Sequence, residues 1–406
     1  MNLPRLIVVQ ILLLLAVSLP EKISAQIYAD VTVSGGVNGT FTITLEHTKA
    51  PITVANFIGL ATGQKGWLDL VTGGIRYDPF YNGVTFHRVI AGFMSQTGSR
   101  NGNGTDGPGY TFRDEIDPSL SHQPYTVSMA NSGTNTNGSQ WFVTKGAPTY
   151  LDGIHTIFGK VTDPASQAVC AAINAVATDT SDRPVTPVTI SSIAVRGPSL
   201  AGFNVNSIGL PKVLNGGPVM KVAGASHALG FDHAPYSQYF CLHSPDLASW
   251  SSYFTSIYFH ALAPAAGDID VTSLATGSKH FYRLARVDYS SCYTAPVSVG
   301  GKTFTFPGLF GTVSTTLTFN PDGTGGTFQR DHGGGSSDSG LIVAVNYQNN
   351  SSPYSSFLGV QLQIFSPNLV ILFDDLSFRT ANGGKFTGRS NLIGAETISG
   401  NFTSAP

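Results

Sequence analysis

Phe41, Ile43 and Leu45 alternate with Thr42 and Thr44, and the same two-residue period returns far downstream in Leu317-Thr318-Phe319. Such a period sends successive side chains to opposite faces, which suits a half-buried strand and no helix. Turn-forming text separates runs of this kind: Ser34-Gly35-Gly36-Val37-Asn38-Gly39 early, and Asn320-Pro321-Asp322-Gly323-Thr324-Gly325-Gly326 late. With 46 glycines and only 11% charged residues, the chain reads as many short strands joined by tight turns. Two segments depart from the period. One helix begins at Ala50-Pro51, with Thr53 as the expected N-cap, an apolar stripe of Val54, Phe57, Ile58 and Ala61, and Gly63 as its stop. A second spans Ala165 to Val176. The net charge of −2 and the lack of a basic run argue against nucleic acid as a partner.

The most informative stretch is Phe86-His87-Arg88-Val89-Ile90-Ala91-Gly92-Phe93-Met94-Ser95-Gln96-Thr97-Gly98. It reads as strand, glycine turn, strand. Alternation places Arg88 and Ile90 on one face, and Met94 and Gln96 on one face. From spacing alone this is a hairpin with an exposed arginine.

The same stretch resembles the signature of the cyclophilin-type peptidyl-prolyl isomerases. Two further segments match that family in order: Ser128-Met129-Ala130-Asn131-Ser132-Gly133 with Asn135-Thr136-Asn137-Gly138-Ser139-Gln140-Trp141-Phe142, then Leu151-Asp152-Gly153, His155 and Phe158-Gly159-Lys160-Val161. The resemblance covers residues 27–195 and implies a closed antiparallel β-barrel with a helix capping each open end. It implies catalysis of cis–trans exchange at X–Pro bonds in unfolded or extended polypeptides, with no cofactor.

That reaction needs no nucleophile, metal or base. The peptide bond resists rotation because the nitrogen lone pair is delocalised, and X–Pro isomers exchange slowly while differing little in free energy. A fixed cation aimed at the lone pair stabilises only the twisted state. By resemblance Arg88 is that cation, Gln96 orients it and contacts substrate, and His155 closes the proline pocket. The alternative for His155 is a satisfied histidine at the barrel edge. Phe93, Met94, Phe142 and Leu151 match the apolar floor under the proline ring; from residue type alone they read as core. Ala130 and Asn131 match the strand that pairs with an extended peptide. Gln140 matches a further groove residue, and His87 matches the signature with its side chain expected to point away from the groove. Tyr150 stands where several members carry Trp at a rim that contributes to cyclosporin binding, so weak cyclosporin binding is expected.

Met1 to Ala25 reads as a secretory signal peptide: Arg5, an apolar run from Leu6 to Leu19, and Ser24-Ala25 before Gln26. The run is shorter than the roughly 20 residues that span a bilayer. The expectation is an exported chain (periplasmic, secreted or at the cell surface) with no membrane span once processed. Export permits disulfides. Cys170 reads as a small buried hydrophobe; for Cys241 and Cys292 a bridge and two independent thiols are both open.

Length suggests about two to four domains. The expected division is a signal peptide at 1–25, the isomerase domain at 26–197, a linker at 198–211, a sandwich-like β domain at 212–296 and a β-rich domain at 297–406. The domain at 212–296 resembles small β-sandwich modules of exported bacterial proteins, with Trp250 and Phe281 as core anchors. Its histidines (His227, His233, His243, His260, His280) have no metal-ligand spacing. The last is expected as an antiparallel sheet or small barrel, with Asp374 and Asp375 in a turn. Two functions stand: an exported isomerase assisting protein folding, and a catalytically weak cyclophilin-like peptide-binding or structural module of a cell-surface protein.

Overall fold

The computed structural model describes residues 26–405, less positions 70, 73, 207–208, 217–218, 224–225, 234–236, 249, 260–264, 272–280, 290–291, 293–299, 310–311, 350–354, 364–368, 381–382 and 391–395. The expected signal peptide, His260 and His280 lie outside these residues. The fold is mainly β.

The first unit runs β1 (Ile27–Gly35), β2 (Gly39–Leu45), α1 (Pro51–Thr62), β3 (Trp67–Asp69), β4 (Gly74–Arg76), β5 (Arg88–Ile90), β6 (Met94–Thr97), β7 (Thr126–Met129), β8 (Trp141–Thr144), β9 (Ile157–Lys160), α2 (Pro164–Asn174) and β10 (Val188–Arg196). Eight of these strands form one curled sheet in the order β10-β1-β2-β9-β7-β8-β6-β5. The expected cyclophilin-like barrel is present as a curled eight-stranded sheet whose edges meet along a short stitched seam rather than a full ladder. The turn at Tyr81 to Gly83 interrupts the chain just before β5. An isolated Thr85–Thr189 bridge, with hydrogen bonds from Gly83 N to Ile190 O and Phe86 N to Val188 O, both 2.9 Å, and from Ile190 N to Val84 O at 2.8 Å, joins the two edges.

The concave side is packed with Phe41, Phe57, Trp141 and Phe158, all fully buried. Phe57 meets Trp141 edge to face at 5.8 Å between centroids, a favoured arrangement for aromatic quadrupoles. Helix α1 departs from its expected stripe: every residue from Ile52 to Ala61 is buried, so the helix fills the curl rather than lying on it. Its start is also different. Ala50 is the N-cap and Pro51 the first helical residue; Thr53 lies inside the first turn. Glu115, from a distant loop, accepts from Ile52 N (3.0 Å), Thr53 N (2.7 Å) and Thr53 Oγ1 (2.8 Å). A carboxylate there meets both the orphan donors and the positive end of the helix dipole. Gly63 ends the helix as expected, at φ 75°, where a side chain would be strained. The text from Gln64 to Asp78 reads as loop but contains the β3–β4 hairpin.

The second unit contains β11 (Lys212–Asn215), β12 (Val219–Ala223), β13 (Ser226–His233), β14 (Ser237–Ser244), β15 (Ser251–Phe259), β16 (Ala265–Asp270) and β17 (Phe281–Asp288). They make a four-stranded sheet, β11-β17-β14-β15, and a three-stranded sheet, β12-β13-β16. Trp250 is buried, with the Arg283 guanidinium 4.2 Å from its ring. Phe281, at the start of β17, is only half-buried, so it is not the core anchor expected of it. The stretch before β11 is not a solvated connector: Val205 and Leu210 are buried, and with Val213, Ala285, Val287 and Tyr289 they join the core cluster of the first unit. Cys170, Cys241 and Cys292 form no disulfide, so there is no Cys241–Cys292 bridge. Burial pushes the Cys170 thiol up to about 12 and Cys241 up to about 11.

The third unit is a closed eight-stranded barrel: β18 (Thr303–Pro307), β19 (Ser314–Phe319), β20 (Gly326–Gly333), β21 (Ser336–Asn349), β22 (Ser355–Gln363), β23 (Leu369–Thr380), β24 (Gly383–Ser390) and β25 (Glu396–Ala405). Phe304, Leu317 and Phe319 are buried in it. Asp374 and Asp375 sit within β23 rather than in a turn. Phe373 pairs with Gly388 and Asp375 with Thr387, so Asp374 is the extra residue of a bulge. Among the described residues no helix is long and apolar enough to cross a membrane.

Candidate active site

Hairpin β5–β6 sets the site. Its register pairs Arg88 with Gln96 and Ile90 with Met94. Strand β8 then pairs Phe142 with Gln96, and β7 pairs Ser128 with Phe142. Directly opposed residues point to the same face, so Arg88, Gln96, Phe142 and Ser128 form one row across four strands. Met94 and Gln140 are two residues along on that same convex face. The opposite set, Val89, Val127, Trp141 and Val143, is buried in the core.

Arg88 is 48% exposed, and its Nε lies 3.6 Å from Asp182 Oδ2. Asp182 is held beside β5 because Val89 N donates to its carbonyl at 2.7 Å. Gln96 Nε2 donates to Gln140 Oε1 at 3.0 Å, and Gln140 Nε2 donates to the carbonyls of Gly104 and Asp106, each at 2.9 Å. Two amides thus tie the glycine-rich loop to the row. Gly104 has φ 80°, and a Cβ there would stand 3.3 Å from His87 Nε2, so that loop fits closely only with glycine. His87 is buried against this loop.

Met94 and Phe142 are buried. The His155 ring stands edge-on to Phe142 at 5.7 Å, with its Nδ1 2.9 Å from the Met129 carbonyl. Phe93 follows the turn and stacks on Tyr150 at 6.2 Å. Tyr150 is 68% exposed, and Leu151 ends a short 3₁₀ turn, Thr149–Leu151, beside it. Ala130 N donates to Gln140 O at 3.0 Å, which fixes the chain leaving β7; Asn131 Nδ2 donates to Ile154 O at 3.2 Å. All ten candidate residues therefore belong to one surface around β5, β6, β8 and the segments 130–131 and 150–155.

Two residues of this surface carry no sequence signal. Asp182 is the ion-pair partner of Arg88. His122 is fully buried behind the floor, stacked on Phe142 at 6.0 Å and 12°, with Nδ1 2.6 Å from Asp152 Oδ1 and Nε2 3.0 Å from Ser128 Oγ. Burial lowers the His122 pKa, against the opposing pull of Asp152. A lone histidine before a strand gives no hint of this. Only the folded chain shows that its ring backs Phe142.

Residues 28–195 match the family model "Cyclophilin type peptidyl-prolyl cis-trans isomerase/CLD". A probable peptidyl-prolyl cis-trans isomerase A of Mycobacterium leprae is 50% identical over 158 residues, covering 39% of this chain and 87% of the relative. Peptidyl-prolyl cis-trans isomerase B of Streptomyces anulatus is 47% identical over 172 residues, 42% of this chain and 97% of the relative. Among solved structures, a Cryptosporidium parvum cyclophilin type peptidyl-prolyl cis-trans isomerase covers 42% of this chain and 98% of its own, at 27% identity and a TM-score of 0.36. The chain belongs to the cyclophilin-type peptidyl-prolyl cis-trans isomerases. It is an isomerase of proline-containing peptides, and the unit that makes it one is the first of three.

Proposed function

We propose that Arg88 is the catalytic cation and that the row it heads is the substrate groove of an exported folding isomerase. The observation that carries this is the register: one guanidinium, one amide and one buried aromatic ring stand side by side on adjacent strands. A proline ring over Met94 and Phe142 brings its amide nitrogen toward Arg88. The guanidinium stays protonated and its fork is rigid, so it donates to the lone pair only when rotation frees it. Asp182 pairs with the guanidinium, Gln96 stands opposite it across the ladder, and His155 with Leu151 borders the ring. Asn131 offers backbone to an extended peptide, in the manner of strand addition.

The test is NMR exchange between cis and trans forms of a short X–Pro peptide, with the mature chain and with Arg88→Ala. Removing a donor that acts only in the transition state costs about a hundredfold or more in kcat/KM. Wild-type rates from a folded Arg88→Ala chain overturn the assignment. The apolar run from Leu6 to Leu19 supports export. Protein recovered outside the cytoplasm is expected to begin at Gln26, and a cytoplasmic chain retaining Met1 refutes export.

A further inference from the structure

The groove continues into a cavity of about 520 Å³ that the first unit does not complete alone. One side is the groove itself: Gln96, Gln140 and Ala130 line it. Another is the glycine-rich loop through Pro108 and Tyr110. The remaining wall is Gln238 and Phe240 on β14, in the second unit. This volume falls in the range of about 300–1,000 Å³ typical of ligand sites.

The wall is fixed in place. Tyr289, fully buried, accepts a hydrogen bond from Thr111 N at 3.4 Å and donates to Gln238 Oε1 at 3.1 Å. One phenol therefore links the glycine-rich loop to the side chain that faces it. Lys65 Nζ donates to the Pro211 carbonyl, and Arg283 Nη1 donates to Thr72 O at 3.0 Å. Phe240 packs partly buried against the shared core.

We infer that the second unit is part of the substrate site, and that Gln238 and Phe240 select the residue flanking the prolyl bond of a bound polypeptide. This rests on the proposed groove. The occupant follows from continuity and from lining: the cavity shares Gln96, Gln140, Ala130 and Asn131 with the groove, so an extended chain seated over Met94 and Phe142 runs into it. Among the described residues the lining holds no lysine or arginine, includes Asp106, whose carboxylate accepts from Ser99 Oγ and Asn101 N, and offers the apolar surfaces of Phe240, Pro108, Tyr110 and Ala130. A large uncharged side chain fits this chemistry, and an acidic one is opposed by Asp106. Gln238, with its oxygen engaged by Tyr289, presents its amide NH₂ to the peptide.

The test is the full mature chain with peptides that share one X–Pro centre. Gly, Leu, Phe or Glu is placed two or three positions to either side. The expected result is a kcat/KM about tenfold higher for Phe than for Gly at one flanking position, the scale of one added apolar group in a pocket, and lowest for Glu. Phe240→Ala is expected to bring the Phe-to-Gly ratio near one, and Phe240→Leu to keep part of it. Independently of any variant, amide signals of Gln238 and Phe240 are expected to shift on titrating the Phe-flanked peptide. Equal rates for all flanking residues in the wild type, or an unchanged ratio in folded Phe240→Ala, overturn the inference. So does seating of another molecule of this chain in the cavity instead of peptide. Failure to accelerate even the Gly-flanked peptide instead strikes at the proposed groove.

Discussion

Replacing Lys65 by methionine probes how the second unit is held against the first. The lysine is 7% exposed. Its Nζ donates to the Pro211 carbonyl and lies 4.5 Å from the centroid of the Tyr110 ring. Burial lowers its pKa from 10.5 to about 8, with Cys292 pulling weakly the other way. The unfolded lysine keeps its proton up to about 10.5 and the folded one only to about 8, so the unfolded state binds more protons between these values. Stability therefore rises with pH through that window, and the full cost of holding the charged lysine is present below pH 8. At about 1.36 kcal/mol per pH unit, that cost is about 3 kcal/mol at pH 7 and about 1.5 kcal/mol at pH 9.5. Methionine removes it. The variant loses the cation–π contact, about 1 kcal/mol, and leaves the Pro211 carbonyl without its donor, about 1–3 kcal/mol. The carbonyl loss does not depend on pH; the cation–π contact acts only while the amine is charged, so it lapses as pH rises through about 8, and its pH dependence is contained in the pKa difference. Burial raises the pKa of Tyr81, Tyr110 and Tyr289 in both chains, so that contribution cancels in the difference. Urea unfolding at pH 7 and 9.5, read by tryptophan fluorescence, gives the two differences. The wild type is expected to gain about 2 kcal/mol on Lys65→Met between those pH values. A difference that stays flat with pH refutes the reasoning.

Glu115→Ala removes three bonds from the start of α1 and is expected to cost about 1–2 kcal/mol in urea unfolding, the range for losing a helix cap. Glu115→Gln keeps an acceptor and is expected to cost less, and unchanged stability in Glu115→Ala contradicts the capping role. Tyr150→Trp adds apolar surface at an exposed rim position already stacked on Phe93. Titration calorimetry is expected to show cyclosporin binding strengthened by about tenfold, and equal affinity overturns the expectation that Tyr150 weakens it.

The parts of this molecule legible in its sequence are those fixed by local rules. Two-residue alternation gave β2 and β19, and the Gly92 turn gave the hairpin whose register sets Arg88 opposite Gln96. Three ordered motifs carried the candidate residues, and the fold brings all ten to one surface. What failed were judgements that depend on distant partners. Thr53 has an N-cap's chemistry, but Glu115 arrives from a loop 62 positions away and takes its donors. Helix α1 looks amphipathic because Thr53, Asn56 and Gly59 interrupt its apolar residues. Asn56 is nonetheless buried, donating to Gly138 O at 2.8 Å and accepting from Tyr110 at 2.7 Å. A satisfied polar side chain can be buried at little cost, and a pattern based on polarity cannot see that.

The same reasoning explains why the second unit's role is invisible before the structure. Segments Gln64 to Asp78 and Asn101 to Tyr110 have no period, since glycines and isolated polar residues dominate them. Lys65, Thr72 and the adjoining Thr111 meet Pro211, Arg283 and Tyr289 of the following unit. Their partners begin 146 residues downstream in the nearest case, beyond any window in which pattern is read. A buried lysine with its amine spent on a carbonyl is an expensive way to fasten two surfaces, and a loose tether needs none of it. Fixed position matters at Gln238 and Phe240: a wall that selects a flanking side chain discriminates only if it cannot retreat from a poor fit. The contacts that hold the second unit are thus the physical condition for selectivity in the shared cavity. Loosening them through Lys65 or Tyr289 is expected to erode the Phe-to-Gly ratio along with stability.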